Sequence, residues 1–407
     1  MNSMRLGGTK YILLVGDGMG DYPLEELGGK TPLEVASTPN MDRIAASHLG
    51  LVKTIPEGME PGSDVANLSL LGYDPRKYHT GRAPLEAASM GVELGQDDIA
   101  FRMNLVTLDR RSDREVIMVS HSSGDISSQE GRQIVETLRG YIEQDGIRIY
   151  PGVAYRHLLV WEEGPLNART IPPHDVLGQN MAHYLNPSEH NPIPELIRRS
   201  WGMLKDHPIN IARRRAGQNE ANSIWPWGQG RPASLPSFEE RFGLKGGVIS
   251  AVDLIKGIGV SMGLERIHVE GATGYLDTNF KGKAEAALER LNELDFVFVH
   301  VEAPDEAGHS GSIKDKIQAI EAFDREVVGR VLKGLARFER FRVMVASDHL
   351  TPIPKRTHTD DPTLFAWATE EGLQKGSIGE FSERNASTSG VYFENGHDLM
   401  EVFISSK

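Results

Sequence analysis

Acidic and imidazole side chains follow three apolar, strand-like runs in this 407-residue chain. Asp17 comes just after Tyr11-Ile-Leu-Leu-Val15. Asp305 and His309 follow Phe296-Val-Phe-Val-His-Val301. Asp348 and His349 follow Phe341-Arg-Val-Met-Val-Ala346, and His358 lies ten residues beyond Asp348. Strand ends of an open α/β sheet converge on one edge, where ligands bind. Carboxylates and imidazoles gathered there suit a pair of divalent cations. Ser63, in Pro61-Gly-Ser-Asp-Val-Ala-Asn67, is the candidate nucleophile. It opens a helical run, so its hydroxyl sits at a helix N-terminus, a favourable place for an anion. A serine hydroxyl is a poor nucleophile at neutral pH, and coordination to a cation activates it. A second cation helps to clamp phosphate oxygens and stabilise charge. The chemistry expected is phosphoryl transfer through a phosphoserine.

Taken singly, each residue has a plainer reading. An Asp after a strand is ordinarily a turn former or a helix cap. With 14 histidines, most are hydrogen-bonded surface or core residues. The spacing Asp305-x-x-x-His309 is stronger, because residues four apart share a helix face. The chain has no cysteine. Disulfides and thiolate ligands are excluded, and a metal site must use carboxylate, imidazole and hydroxyl donors.

The elements that must position these groups read as βα units at both ends of the chain. Residues 11–15 form a buried strand leading into Gly16-Asp-Gly-Met-Gly20. Thr38-Pro39 starts a helix. After about residue 245 the rhythm returns: helix 247–262, a short strand at 267–269, helix 284–294, strand 296–301, a long helix 314–335 and strand 341–346. Between them the texture changes. Residues 102–108, 115–120 and 155–161 read as strands, 129–144 as an amphipathic helix, and 226–236 as a Pro- and Gly-rich loop. The expected architecture is an α/β open sheet with helices on both faces, built from residues 1–76 and 241–407. A smaller α/β substrate-binding domain, 77–240, is inserted into it.

Composition narrows the function. Apolar residues make 39% and charged residues 25%, as in a globular protein with a real core. No apolar run approaches the ~20 residues of a membrane helix. A net charge of -13 argues against a nucleic-acid partner. A small anionic substrate is still compatible, since local arginines and metal reverse the field. The cytoplasm is the default compartment, and nothing sets an oligomeric state.

Several motifs together carry a family resemblance. They are Gly16-Asp-Gly-Met-Gly20 with Asp21, Thr38-Pro-Asn-Met-Asp42, Pro61-Gly-Ser-Asp64, Gly72-Tyr-Asp-Pro75, Gly81-Arg82, Gly271-Ala-Thr-Gly274, Asp305-Glu-Ala-Gly-His309, Asp348-His349 and Gly396-His397. The chain resembles the alkaline phosphatase superfamily and, within it, the archaeal-type cofactor-independent phosphoglycerate mutases. The resemblance implies that Asp305, His309 and His358 bind one ion. It implies that Asp17, Ser63, Asp348 and His349 bind the other, and that Ser63 is phosphorylated. The inserted domain would grip the glycerate. The ions expected are two divalent cations, manganese ahead of magnesium or zinc, all of which accept such donors.

One departure bears on the substrate. Archaeal-type mutases are expected to carry an Arg-rich segment where this chain reads Ser120-His-Ser-Ser-Gly-Asp125. A carboxylate wants bidentate arginine. This segment offers His121, Ser122, Ser123 and Asp125 instead, or is simply a polar turn. The stretches Asn222–Gly230 and Ser250–Lys256 look similar to a bacterial sub-branch proposed as homoserine kinases. There Asp125 or Asp175 would pair with an ammonium group. His121 is a candidate proton shuttle, because imidazole titrates near neutrality. Arg82, Arg102 and Arg156 are candidates for phosphate or carboxylate, or are surface ion pairs. His174-Asp175 reads as an oriented pair or a rigid turn. Arg213-Arg-Arg215 reads as a solvated helix face. Mutase chemistry on a small phosphorylated metabolite is the leading expectation, with a homoserine-kinase-like transferase and a metal-dependent phosphatase or phosphodiesterase as alternatives. A large insert that excludes water favours transfer over hydrolysis.

Overall fold

A computed structural model describes residues 8–186, 191–375 and 379–405. The chain divides into two compact units, Met1–His79 with Ser234–Lys407, and Thr80–Ala233.

The larger unit is built on an eight-stranded mixed sheet. Strand Thr9–Gly16 lies between Phe296–Val301 and Arg340–Ala346, parallel to both. Gly246–Ile249 extends the parallel set beyond Phe296–Val301. On the other side Thr363–Thr369 runs antiparallel to Arg340–Ala346, and His48–Val52 runs antiparallel to Thr363–Thr369. Short strands Tyr392–Phe393 and Glu265–Arg266 finish the two edges. Every residue from Tyr11 to Gly16 and from Phe296 to Val301 is buried. Both faces of the central strands are therefore covered, which explains why they read as continuous apolar runs. Parallel pairing puts the C-terminal ends of these strands on one edge. The register sets Gly16 opposite Val301 and Val15 opposite His300 and Ala346. Asp17, Glu302 and Ser347-Asp348 thus leave the sheet side by side.

Residues 247–262, expected as one helix, begin as the strand Gly246–Ile249 and become helical only over Asp253–Ser261. Glycines at 246 and 247 let that strand sit close to its neighbours: a Cβ on Gly246 would lie 2.7 Å from Leu264. The long helix expected over 314–335 is continuous but contains a π-helical stretch, Phe323–Val328. Residues 77–79 and 234–240 belong with the larger unit. Tyr73 donates its hydroxyl to Pro236 O at 3.0 Å, and Phe238 stacks on Phe296 at 4.5 Å between ring centroids.

The smaller unit holds a five-stranded antiparallel sheet. The long strand Asp98–Ser112 pairs with Glu115–Ser120, Arg156–Glu162 and Ser223–Gly230, and Ile147–Val153 pairs with Arg156–Glu162. Helices Ser128–Ile142 and Ile193–Lys205 pack their apolar residues into a core of Phe101, Leu105, Ile134, Leu138 and Ile197. The loop expected over 226–236 is in fact mostly strand as far as Gly230. Pro226 is tolerated on an edge strand, and this one has a strand partner on one side only among the described residues.

Candidate active site

Asp305 and His309 sit one turn apart on helix Ala303–Ser310. Their Oδ2 and Nε2 atoms are 3.2 Å apart, and Asp305 Oδ1 is 3.4 Å from His358 Nε2. The two Nε2 atoms of His309 and His358 face each other at 2.9 Å. His309 Nδ1 donates to Arg356 O at 3.0 Å, which turns Nε2 toward Asp305 and His358, where a cation would take the place of its proton. Thr351 Oγ1 donates to the Asp305 carboxylate.

The second lobe joins Asp17, Ser63, Asp348 and His349. His349 Nε2 is 3.1 Å from Ser63 Oγ, 3.4 Å from Asp17 Oδ1 and 3.6 Å from Asp348 Oδ2. Asp348 is held by backbone N–H groups of Gly18 and His349 and by Asn67 Nδ2. Asn67 Nδ2 also donates to Ser63 O, so one amide fixes the start of helix Ser63–Leu70 against Asp348. Gly18 has φ +59, and a Cβ there would come within 2.7 Å of Asp305 Oδ1 and meet Thr351 as well. The Gly-rich turn after the first strand is what lets the two lobes approach.

These spacings are those of ligands on an ion. Donors about 2.1 Å from one cation lie roughly 3.0–3.4 Å apart in octahedral or tetrahedral geometry. The side-chain groupings capable of holding a metal are Asp305-His309-His358, Asp17-Asp305-His349 and Asp17-His300-Asp348. Both carboxylate oxygens of Asp17 are buried without a hydrogen-bond partner among the described residues. A buried carboxylate in that state needs a counter-charge. The donor set therefore fits divalent cations.

The electrostatics say the same. Burial, and then the charges of Asp348, Asp305 and Glu302, push Asp17 well above the usual carboxylate range. Glu302 is pushed up to about 8 by burial and by Asp305. Asp305 goes the other way: burial raises it, but hydrogen bonds from His309 and His358 outweigh that and hold it well below. His309 is correspondingly raised to about 9 by Asp305. One lobe is thus neutralised by histidine, whereas the other is an uncompensated cluster of acids.

Sequence reasoning missed several residues here. His300 lies inside a strand, where it reads as part of an apolar run, yet its Nε2 is 2.9 Å from Asp17 Oδ2. Burial lowers it to about 4. Lys316 is fully buried and donates to Asp21 Oδ2, Gly20 O and Thr351 O, tying the Gly-rich turn to the segment after Asp348. His79 Nε2 pairs with the buried Asp64 carboxylate, next to Ser63, at 2.8 Å. The Gly-rich turn, the strand-end Ser347-Asp348 and the Pro61-Gly-Ser-Asp64 turn were the signals available for the last two.

Within the smaller unit, the candidate substrate residues separate into two groups. Arg102 pairs with Glu86 at 2.8 Å and lies over the Trp227 ring, 4.1 Å from its centroid. Arg102, Arg156 and Arg82 all pull the Glu86 carboxyl down, against a larger upward push from burial. His174 meets Trp227 edge-on at 5.3 Å and His121 at 6.3 Å, and His121 meets Tyr155 at 5.7 Å. His174 is lowered by burial; its neighbour Asp175, 3.5 Å away, offsets this in part. So Arg82, Arg102, Arg156, His121 and His174 share one neighbourhood.

Ser122, Ser123, Asp125 and Asn222 are placed differently. Ser120 and Ser122 hydroxyls accept the N–H groups of Gly124 and Asp125, shaping a turn in which Ser123 and Asp125 both have φ 52. Asp125 is exposed. Asn222 uses both ends of its amide on the Leu108 backbone. Arg213, expected on a solvated face, is buried and donates to Ser123 O and Asn219 O. It pegs the 120–125 turn from below. Trp225 and Trp227 are core residues of this unit, donating to Ile171 O and Asn104 Oδ1.

Comparison with known proteins agrees with the motifs. The profile of the 2,3-bisphosphoglycerate-independent phosphoglycerate mutase family matches residues 45–210. A Geobacter sulfurreducens protein named "Probable 2,3-bisphosphoglycerate-independent phosphoglycerate mutase" is 49% identical over 397 residues, 97% of this chain and 99% of that protein. The 2,3-bisphosphoglycerate-independent phosphoglycerate mutase of Methanothrix thermoacetophila is also 49% identical, over 97% of this chain and all of that protein. Among solved structures, the PH0037 protein of Pyrococcus horikoshii superposes with a TM-score of 0.81 at 31% identity, covering 98% of this chain and 99% of that one. With the Ser, Asp and His residues of its strand-end cluster in place, this chain belongs to the 2,3-bisphosphoglycerate-independent phosphoglycerate mutase family.

Proposed function

We propose that the protein interconverts 3-phosphoglycerate and 2-phosphoglycerate through a phosphoserine at Ser63, with two divalent cations, manganese first among them. The observation that carries this reading is the placement of Ser63 Oγ, at the first residue of a helix and 3.1 Å from His349 Nε2 inside the acid–imidazole cluster. The cations, when bound, would supply Lewis-acid activation of the hydroxyl and neutralise phosphate charge. Asp305, His309 and His358 would hold one; Asp17, Ser63, Asp348 and His349 would hold the other.

Ser63 Oγ attacks the substrate phosphorus. The bond from phosphorus to the glycerate 3-oxygen breaks, and that oxygen takes a proton. The glycerate 2-hydroxyl then loses a proton and attacks the phosphoserine, which restores Ser63. Asn67 and the helix start keep the nucleophile in line, so the two displacements share one geometry. In the smaller unit, Arg82, Arg102 and Arg156 would bind carboxylate and phosphate, and His121 or His174 would carry the hydroxyl proton. Arginines gathered around the half-buried Glu86 suit a phosphorylated carboxylate better than the ammonium of homoserine. Exposed Asp125 offers no such counterweight. Glycolytic interconversion in the cytoplasm is the setting this activity implies.

The test is a paired assay on metal-loaded protein: 3-phosphoglycerate conversion to 2-phosphoglycerate, and ATP-dependent phosphorylation of homoserine. Mutase turnover without ATP is expected. Homoserine phosphorylation with no mutase turnover would overturn the assignment.

A further inference from the structure

We propose that His300 is a ligand of the cation held by Asp17 and Asp348. His300 is the fifth residue of strand Phe296–Val301, level with Val15, and it is fully buried. Nothing in the phosphoryl-transfer scheme uses it. Yet its Nε2 is 2.9 Å from Asp17 Oδ2, and Asp17, His300 and Asp348 form one of the three groupings able to hold a metal among the described residues.

Direction decides between a hydrogen bond and a shared ligand. A separation of 2.9 Å would suit Nε2–H donating to the carboxylate. The N–H vector does not point that way, because Nε2 and both Asp17 oxygens are buried atoms without a hydrogen-bond partner among the described residues. Donors on neighbouring corners of a coordination sphere show that combination: close to each other, but both aimed at a third point.

The other ring nitrogen supports the same tautomer. His300 Nδ1 faces Ser250 Oγ at 3.3 Å and Glu302 Oε2 at 3.8 Å. Ser250 Oγ already accepts the Val252 N–H, and retains a lone pair for a second donor. With Ser250 Oγ as its acceptor, Nδ1 carries the proton and Nε2 keeps its lone pair. Metal-bound imidazoles characteristically donate their other N–H to a carboxylate or similar acceptor. Without a cation, that lone pair would face the Asp17 carboxylate across 2.9 Å, acceptor against acceptor. Lys283 Nζ donates to His300 O at 3.1 Å and pins the backbone of this residue, so the ring cannot readily turn away. Asp17 then uses Oδ1 toward His349 and Oδ2 toward His300.

This inference rests on reading the cluster as a cation site, and the experiment separates the two. The full chain, labelled with 15N-histidine, is loaded with cobalt(II), and contact-shifted imidazole N–H resonances are counted. His309, His358 and His349 account for three; His300 makes four. His300→Asn should lose one resonance and weaken cobalt binding at the Asp17 position at least about tenfold. Three resonances in the unsubstituted protein would overturn the role of His300 while leaving the metal centre standing, and so would four that all persist in His300→Asn. Absence of cobalt binding would overturn both. If that variant fails to fold, a count of three in the unsubstituted protein still overturns the inference, and His300→Gln replaces the variant for a count of four.

Discussion

Ser63 Oγ lies 3.1 Å from Nε2 of His349. Neither group is exposed to bulk water as a free side chain: His349 is fully buried and lowered by that burial, and Ser63 is half-buried at a helix start. A neutral imidazole and a hydroxyl thus meet where a phosphoryl group would arrive. The pair is too poor a base and nucleophile to work by itself, so the surrounding carboxylates must bring in cations.

Removing the hydroxyl tests the covalent step. Ser63→Ala should lose at least ~10³ in mutase rate, since one hard displacement can no longer be split into two. Radiolabel from substrate should also fail to appear on acid-quenched protein. A variant with near-native kcat would eliminate the phosphoserine.

Chelation should abolish turnover, and Asp305→Ala, His309→Ala or Asp348→Ala should lose both bound metal and activity. Elemental analysis of purified variants checks this. Removing Asp305 takes away the group that bridges His309 and His358, so the loss of metal should be largest there. Full activity in stripped, chelator-treated protein would sink the metal reading.

Much of this site was legible in the sequence, because strand ends, a Gly-rich turn and an i, i+4 Asp–His pair are local patterns. His300 was not. A histidine in the middle of Phe296–Val301 reads as a core residue, and only the parallel register beside Val15 puts it behind Asp17. The strand Ser223–Gly230 was also hidden: Pro226 and two glycines argue for a loop unless one knows that the strand lies at an edge. Asn222 and the Ser120 and Ser122 hydroxyls carry the polarity of a binding site, but they spend it on the backbone. Arg213 misled in the opposite sense, since a run of three arginines suggests solvent and only its neighbours reveal the buried peg.

The smaller unit should be labile in mild acid. His157 is 2% exposed, and burial lowers it to about 3. Gly152 N–H donates to its Nδ1 at 3.0 Å, a bond that requires the neutral ring. The folded pKa is below the unfolded value of about 6.5, so this contribution is fully present above pH ~6.5. It is lost as pH falls from there toward 3, by up to about 1.4 kcal/mol per pH unit. Trp161, Trp201, Trp225 and Trp227 all lie in this unit, so urea unfolding followed by tryptophan fluorescence reports on it. His157→Gln should flatten the acid slope, and a slope unchanged in that variant would assign the lability to another group.

Arg102 gives the sharpest test of the substrate class. Its guanidinium is held on two sides, by Glu86 at 2.8 Å and by the Trp227 ring. Stacking and pairing fix the plane of the fork, which is what bidentate recognition of a carboxylate or phosphate needs. Lysine keeps the charge but neither stacks as a plane nor offers a fork. Arg102→Lys should therefore lower kcat/KM for 3-phosphoglycerate by roughly 10- to 100-fold, the worth of one charge-assisted hydrogen bond. Metal content should not change, because Arg102 belongs to the smaller unit and none of the proposed ligands does. A homoserine-type substrate would respond differently: with one rigid cation softened, its ammonium would be repelled less. Steady-state kinetics with both substrates on the same metal-quantified preparation decide the matter. Unchanged kcat/KM for phosphoglycerate would mean that Arg102 is a structural ion pair, and that the anion is held by other arginines.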